Sequence, residues 1–154
     1  DSVGIAATPD DGNFLLSGIV APGDHSVRGI TVTNTGSPAL RYAVTSLSAT
    51  DGLASWLDLT IWEEAEEGDP HAVCSQQPPA RLLYGPAGPG RPAGTRVIGD
   101  PAQGFQEGDR TLLPGASEKL CFMLRVPLSV GNIPQSSEAS PEFHFDAEQV
   151  DNNP

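Results

Sequence analysis

Glu118-Lys119-Leu120-Cys121-Phe122-Met123-Leu124-Arg125-Val126-Pro127-Leu128 is the stretch that decides the fold. Its apolar side chains at Leu120, Phe122, Leu124, Val126 and Leu128 recur every second residue. A period of two is typical of a β-strand with one face in a core, and Cys121 falls on the opposite face. The stretch therefore predicts a half-buried strand in an antiparallel sheet.

Similar segments occur on both sides of this strand, separated by turn residues, and no long window repeats with the period of a helix. The other predicted strands are 14–20, 25–34, 39–47, 56–63 and 140–150, with shorter ones at 81–84 and 95–98. Their inward side chains are Ile30, Val32, Leu40, Tyr42, Val44, Leu57, Leu59, Ile61, Phe143, Phe145 and Ala147. The pattern predicts an all-β fold, an antiparallel β-sandwich of jelly-roll type.

The chain is sized for one domain, and its middle differs in composition. Residues 64–115 hold eight of the 15 prolines and nine of the 17 glycines, so we interpret them as a loop-rich excursion on the sandwich. Residues 14–154 then form a single domain, preceded by residues 1–13.

Charge and apolar content limit the function. The formal net charge of −12 argues against binding nucleic acid or anionic membranes, and no apolar run approaches the roughly 18 residues of a membrane span. A start at Asp1 without Met is expected of a mature chain whose targeting segment has been removed, although any arbitrary boundary would look the same.

Two cysteines, Cys74 and Cys121, are the only ones in a Gly/Pro-rich chain with a single lysine, Lys119. This usage suggests an exported protein with one disulfide, which would stabilise the fold by about 4 kcal/mol. The alternative is a cytosolic protein with two free, buried thiols.

The N-terminal stretch Asp1-Ser2-Val3-Gly4-Ile5-Ala6-Ala7 also alternates. One face would carry Val3, Ile5 and Ala7, and the other the small residues Ser2, Gly4 and Ala6. No charge occurs between Asp1 and Asp10, and the turn residues Thr8-Pro9-Asp10-Asp11-Gly12-Asn13 form a predicted hinge. An extended, uncharged peptide on a hinge is suited to strand donation to another subunit. It is equally an ordinary first strand pairing within its own chain, or a frayed terminus.

Three ordered stretches carry a family resemblance. The first joins Ala21-Pro22-Gly23-Asp24 to Ile30-Thr31-Val32-Thr33-Asn34-Thr35-Gly36-Ser37, the second runs from Leu120-Cys121-Phe122 to Leu128, and the third is Phe143-His144-Phe145-Asp146-Ala147-Glu148-Gln149. Together they resemble the TasA/camelysin family of exported bacterial proteins, over most of the chain except 64–115.

The resemblance implies a subunit of extracellular biofilm-matrix fibres. Such subunits polymerise head to tail, the N-terminal segment of one completing a sheet of the next, as the segment from Ser2 to Ala7 suggests on its own. The expected acceptor groove is lined by apolar residues of the terminal strands, namely Leu124, Val126, Phe143 and Phe145.

Catalytic and cofactor motifs are weak in this sequence, and we expect neither an enzyme nor a bound cofactor. Some members of the family are described as metallopeptidases, but the three histidines, His25, His71 and His144, do not form His-Glu-x-x-His. A zinc site from His71, Cys74 and Cys121 would lack a fourth ligand, and the disulfide explains the cysteines better.

The alternative function is a monomeric secreted module that binds carbohydrate or calcium. The acidic run Glu63, Glu64, Glu66, Glu67 and Asp69 is a calcium candidate, but it lacks the spacing of a calcium loop and is better interpreted as a solvated strand end.

Trp56 and Trp62 share one face of a strand, which would suit stacking against sugar rings of a matrix polysaccharide. Packing beneath the excursion or a neighbouring subunit is the favoured interpretation, because exposed tryptophan pairs are unusual.

Overall fold

The computed structural model of the chain describes residues 4–8, 23, 25–46, 57–65, 68–69, 72–74, 81–87, 96–126 and 143–151. Within these ranges the chain forms nine β-strands and one short helical segment at 72–74. The strands are β1 (Ile5–Thr8), β2 (His25–Asn34), β3 (Leu40–Ser46), β4 (Asp58–Glu64), β5 (Arg81–Ala87), β6 (Arg96–Ile98), β7 (Arg110–Leu112), β8 (Ser117–Arg125) and β9 (Phe143–Gln149).

The strands form two antiparallel sheets. The larger sheet has the order β1-β2-β8-β4-β5. In the smaller sheet β3 is central, with β6 and β7 along one side and β9 pairing from residue 40 to residue 46. The strand with the longest alternating pattern, β8, lies between β2 and β4. This position explains the pattern, because a central strand has a neighbour on both edges and one face in the core.

The core lies between the two sheets. It combines side chains of the larger sheet (Ile30, Val32, Leu59, Ile61, Leu120, Phe122 and Leu124) with side chains of the smaller sheet (Leu40, Tyr42, Val44, Val97, Ile98, Leu112 and Phe143). The rings of Phe122 and Phe143 meet across the sheets with centroids 4.9 Å apart. The all-β antiparallel sandwich is thereby confirmed, and its jelly-roll type stays a prediction.

Most predicted strands are present, with small shifts at their ends. The prediction for 14–20 lies outside the described residues. The short strand β7 was missed, because three residues, Arg110–Leu112, are too few to show a period. The excursion also contributes more than expected, since Val97, Ile98 and Leu112 are buried in the main core.

A disulfide joins Cys74 to Cys121, as predicted, with 5.5 Å between the two Cα atoms. It covers the outer face of the larger sheet, where Trp62 is 1% exposed and packs with both cysteines. The helical segment that carries Cys74 begins after Asp69, whose carboxylate accepts the N–H of Ala72 at 3.1 Å. The disulfide therefore holds the excursion against the sheet. In the described residues no helix has the length and apolarity needed to cross a membrane.

Candidate functional site

The predicted donor segment lies at one edge of the larger sheet. Its described part forms β1, antiparallel to β2 of the same chain, with Ile5 opposite Asn34 and Thr8 opposite Thr31. In the single chain, therefore, the described part of the segment pairs with its own β2, which is one of the three interpretations left open by the sequence. Ser2 and Val3 lie outside the described residues, as do 9–13 of the hinge, whereas Thr8 is the last residue of β1.

Gly4 brings the chain close to the turn that follows β2. Its carbonyl oxygen accepts the N–H of Thr35 at 2.9 Å. A Cβ atom on Gly4 would overlap Oγ1 of Thr35 and lie 3.3 Å from the backbone nitrogen of Gly36. A larger residue here would make the Thr35 side chain rotate and would crowd the Gly36 backbone, so glycine is favoured by this close approach and not by its backbone angles.

Ile5 is the apolar anchor of the described part of the segment. Its side chain is half-buried and packs against the main core, while Ala6 is exposed. The alternation predicted for the segment is thus present at these two positions. Backbone pairing along β2 and one apolar side chain hold this part of β1 in place.

Of the four residues predicted to line an acceptor groove, Leu124 lies on the central strand β8 and Val126 directly after it, whereas Phe143 and Phe145 lie on β9, an edge strand of the smaller sheet. Leu124 and Val126 are buried in the core, and β8 has a neighbour on each side. Phe143 is also buried, and the ring centroid of Phe145 lies 6.0 Å from that of Tyr42. These side chains pack between the sheets, and the edge that β1 covers in the single chain is that of β2. The acceptor groove at these four residues stays a prediction.

The other sheet edges carry features that discourage pairing. In β5, Pro86 lacks an N–H donor, and the pairing with β4 is irregular at two places. β9 bears His144, Asp146 and Glu148, and β6 and β7 have three residues each. By contrast, 4–8 contains no charge and no proline.

An ionic cluster connects the two sheets near the β1 edge. Arg110 on β7 donates to Glu118 on β8 through Nε to Oε1 at 3.1 Å and Nη2 to Oε2 at 2.8 Å. The same Nη2 lies 3.1 Å from Oε1 of Glu63 on β4, and Arg81 on β5 reaches the other oxygen of Glu63 at 3.2 Å. The buried hydroxyl of Tyr42 on β3 donates to Glu118.

The cluster changes the acid–base behaviour of two of its members. Burial, with a smaller contribution from the charge of Glu118, raises the pKa of the Tyr42 phenol far above its usual range. Hydrogen bonds to Glu118 raise the pKa of Arg110. Both groups therefore keep their protons near neutral pH and remain hydrogen-bond donors to Glu118.

The acidic run has structural contacts in this structure. Glu63 bridges two arginines, Glu64 is buried, and Asp69 caps the helical segment. The interpretation as a solvated strand end is therefore wrong for Glu63 and Glu64. In the described part of the chain, no group of three or more His, Cys, Asp or Glu residues is arranged to hold a metal ion.

The structure also describes some of the residues proposed for sugar stacking and for a zinc site. Trp62 packs beneath the excursion, as the favoured interpretation predicts, and is not a platform for sugars. Trp56 and His71 lie outside the described residues. Cys74 and Cys121 are bonded to each other and do not serve as thiolate ligands.

Sequence reasoning missed the role of Asn34 and of the Arg110–Glu118 pair. Asn34 was visible only as part of Asn34-Thr35-Gly36-Ser37-Pro38, a composition typical of a turn in which an Asn side chain binds the backbone. The Arg110–Glu118 pair gave no signal, because nothing in the sequence says that the two residues face each other.

The sequence matches no protein-family model, and no curated protein is significantly similar to it.

Proposed function

We propose that this chain is a structural, self-assembling subunit that polymerises head to tail by exchanging β1 between copies. In the single chain β1 would occupy its own acceptor edge, and in the polymer the β1 of one copy would occupy the edge of β2 in the next. A head-to-tail contact that does not close into a ring gives a filament.

The observation that carries the proposal is the position of β1. It is an uncharged, four-residue edge strand that pairs only with β2 among the described strands. Each backbone hydrogen bond contributes about 0.5–1.5 kcal/mol net, whereas ordering each residue costs about 1–2 kcal/mol. The attachment of so short a strand therefore depends on its apolar anchor, Ile5. Its release costs only a modest free energy and is local.

The edges support one direction of assembly. A strand exchanged between copies needs an edge without proline or charge, and β1 and β2 meet there along Thr31 to Asn34. The opposite edge of the same sheet carries Pro86 and an irregular pairing, which disfavour addition of a strand. Assembly would therefore continue through the β1 edge.

The proposed setting is extracellular. A disulfide-bonded all-β domain is compatible with export, and the resemblance to the TasA/camelysin family extends this to a fibre of a bacterial biofilm matrix. The net charge of −12 would keep filaments apart unless cations or low pH reduce their repulsion.

Negative-stain electron microscopy tests the proposal. The unchanged protein is compared with a variant lacking residues 1–7, with Ile5→Asp and with the matched control Ile5→Val. We expect filaments from the unchanged protein and Ile5→Val, and folded monomers from the other two, because an aspartate cannot enter the apolar site. Filaments from Ile5→Asp, or monomers from all four proteins, would contradict strand exchange.

A further inference from the structure

Asn34 is a buried side chain, 1% exposed, that binds backbone groups in two separate parts of the fold. Its Nδ2 donates to the carbonyl oxygen of Pro38 at 2.8 Å and to that of Leu112 on β7 at 3.1 Å. Its Oδ1 accepts the N–H of Gly36 at 2.9 Å. The amide supplies two donors and an acceptor at one position, which neither aspartate nor leucine offers.

The backbone of Asn34 is tied to the strand on the other side of β2. Its N–H donates to the carbonyl of Ala116 at 2.9 Å, and its carbonyl accepts the N–H of Gly115 at 3.0 Å. None of these five hydrogen bonds involves β1. Asn34, the last residue of β2, would therefore keep its backbone partners when β1 leaves, whereas the Thr35 N–H would lose Gly4.

The turn that β1 contacts also depends on Asn34. Thr35 and Gly36, which contact Gly4, belong to the turn that the Asn34 side chain holds closed. Next to it, Oγ atoms of Thr33 and Ser117 are 2.8 Å apart and join β2 to β8. Contacts with β7 and β8 therefore hold the β2 edge in place independently of β1.

We propose that Asn34 is the positioning residue that keeps the β2 edge folded while β1 is exchanged. Exchange is then a local opening of β1, and the vacated edge is preformed for the β1 of a second copy. This inference rests on the proposed function, and it adds that assembly needs no opening of the sandwich.

Two neighbouring backbone amides distinguish release of β1 from opening of β2. The Thr35 N–H is bonded to Gly4 and reports release of β1, whereas the Asn34 N–H is bonded to Ala116 and reports opening of β2 from β8. Hydrogen exchange followed by NMR on the full chain measures both. We expect the protection factor of the Asn34 amide to exceed that of the Thr35 amide at least tenfold.

Substitution of Asn34 tests whether the side chain causes this difference. In Asn34→Ala the ratio of the two protection factors should fall towards one, because β2 opens together with β1. The matched control is Val97→Ala, a buried truncation in β6 (Val97 is 3% exposed). It lowers the global stability without removing a contact of Asn34, so the part of the fall in Asn34→Ala that exceeds the fall in Val97→Ala is due to the Asn34 side chain and not to lost stability alone.

Two results would overturn the inference. One is a ratio near one in the unchanged protein, which also decides the matter if Asn34→Ala does not fold. The other is a ratio in Asn34→Ala equal to that in Val97→Ala. Either result leaves the proposed filament function standing, because that function is judged by the Ile5→Asp filaments and not by hydrogen exchange.

Discussion

Arg110 and Glu118 face each other across the two sheets in a two-pronged ion pair, with nitrogen–oxygen distances of 3.1 and 2.8 Å. Both side chains are largely buried, and the hydroxyl of Tyr42 bonds the same carboxylate. In register, Glu118 lies opposite Val32, which lies opposite Ala7. The ion pair therefore joins the smaller sheet to β8, which lies two strands in from β1.

Glu118→Gln should destabilise the protein by about 1.5–3 kcal/mol, because it removes charge-assisted hydrogen bonds from Arg110 in a largely buried place. Urea unfolding followed by circular dichroism measures the change. Arg81→Ala is the control: the Arg81 side chain is 79% exposed, so its pair with Glu63 should contribute under about 1 kcal/mol. Equal losses of unfolding free energy in the two variants would show that the Arg110–Glu118 pair contributes no more than an exposed ion pair.

Tyr42 should make the protein less stable as the pH rises above about 10. Its folded pKa lies above the unfolded value, so the stabilisation is complete below the unfolded pKa and is lost as the unfolded phenol ionises. The free energy of unfolding should fall by up to about 1.4 kcal/mol per pH unit relative to Tyr42→Phe.

Absorbance of the tyrosinate checks the same property directly. The chain has two tyrosines, so Tyr84→Phe leaves Tyr42 as the sole reporter. Its phenol should stay protonated until the protein unfolds. Ionisation of a still-folded protein near pH 10 would contradict the burial of this group.

Removal of the disulfide by Cys74→Ser together with Cys121→Ser should destabilise the fold by about 4 kcal/mol, for a sequence separation of 47 residues. Trp62 should become more exposed, since Cys74 and Cys121 form its cover. A red shift of fluorescence in a Trp56→Phe background, where Trp62 is the only tryptophan, measures this exposure. An unchanged emission maximum would mean that the excursion stays in place without the bond.

Gly4→Ala should weaken the attachment of β1, because the added methyl group overlaps Thr35. We expect the protection factor of the Thr35 amide to fall at least tenfold while the Asn34 amide is unaffected. Ala6→Ser is the control, since Ala6 is exposed. Equal protection of Thr35 in both variants would show that the close approach does not hold the strand.

The sequence alone predicted the strands whose pattern spans the whole element. β8 and β3 alternate, or are apolar, over seven or more residues, so their inward faces could be read directly. The disulfide followed from two cysteines and the composition around them. Three-residue β7 carries no period, and its place beside β3 depends on the rest of the sheet.

The candidate site divides in the same way. The sequence by itself determined that the segment from Ser2 to Ala7 is alternating and uncharged, and it predicted an extended conformation, because these are local properties of the chain. Only the tertiary structure decided that the edge it meets belongs to β2, that Asn34 anchors this edge, and that Leu124 and Phe143 are core residues. Such contacts join distant positions, for example Arg41 and Glu148, which are 107 residues apart, and a linear pattern does not encode which distant residues the folded sheets bring together.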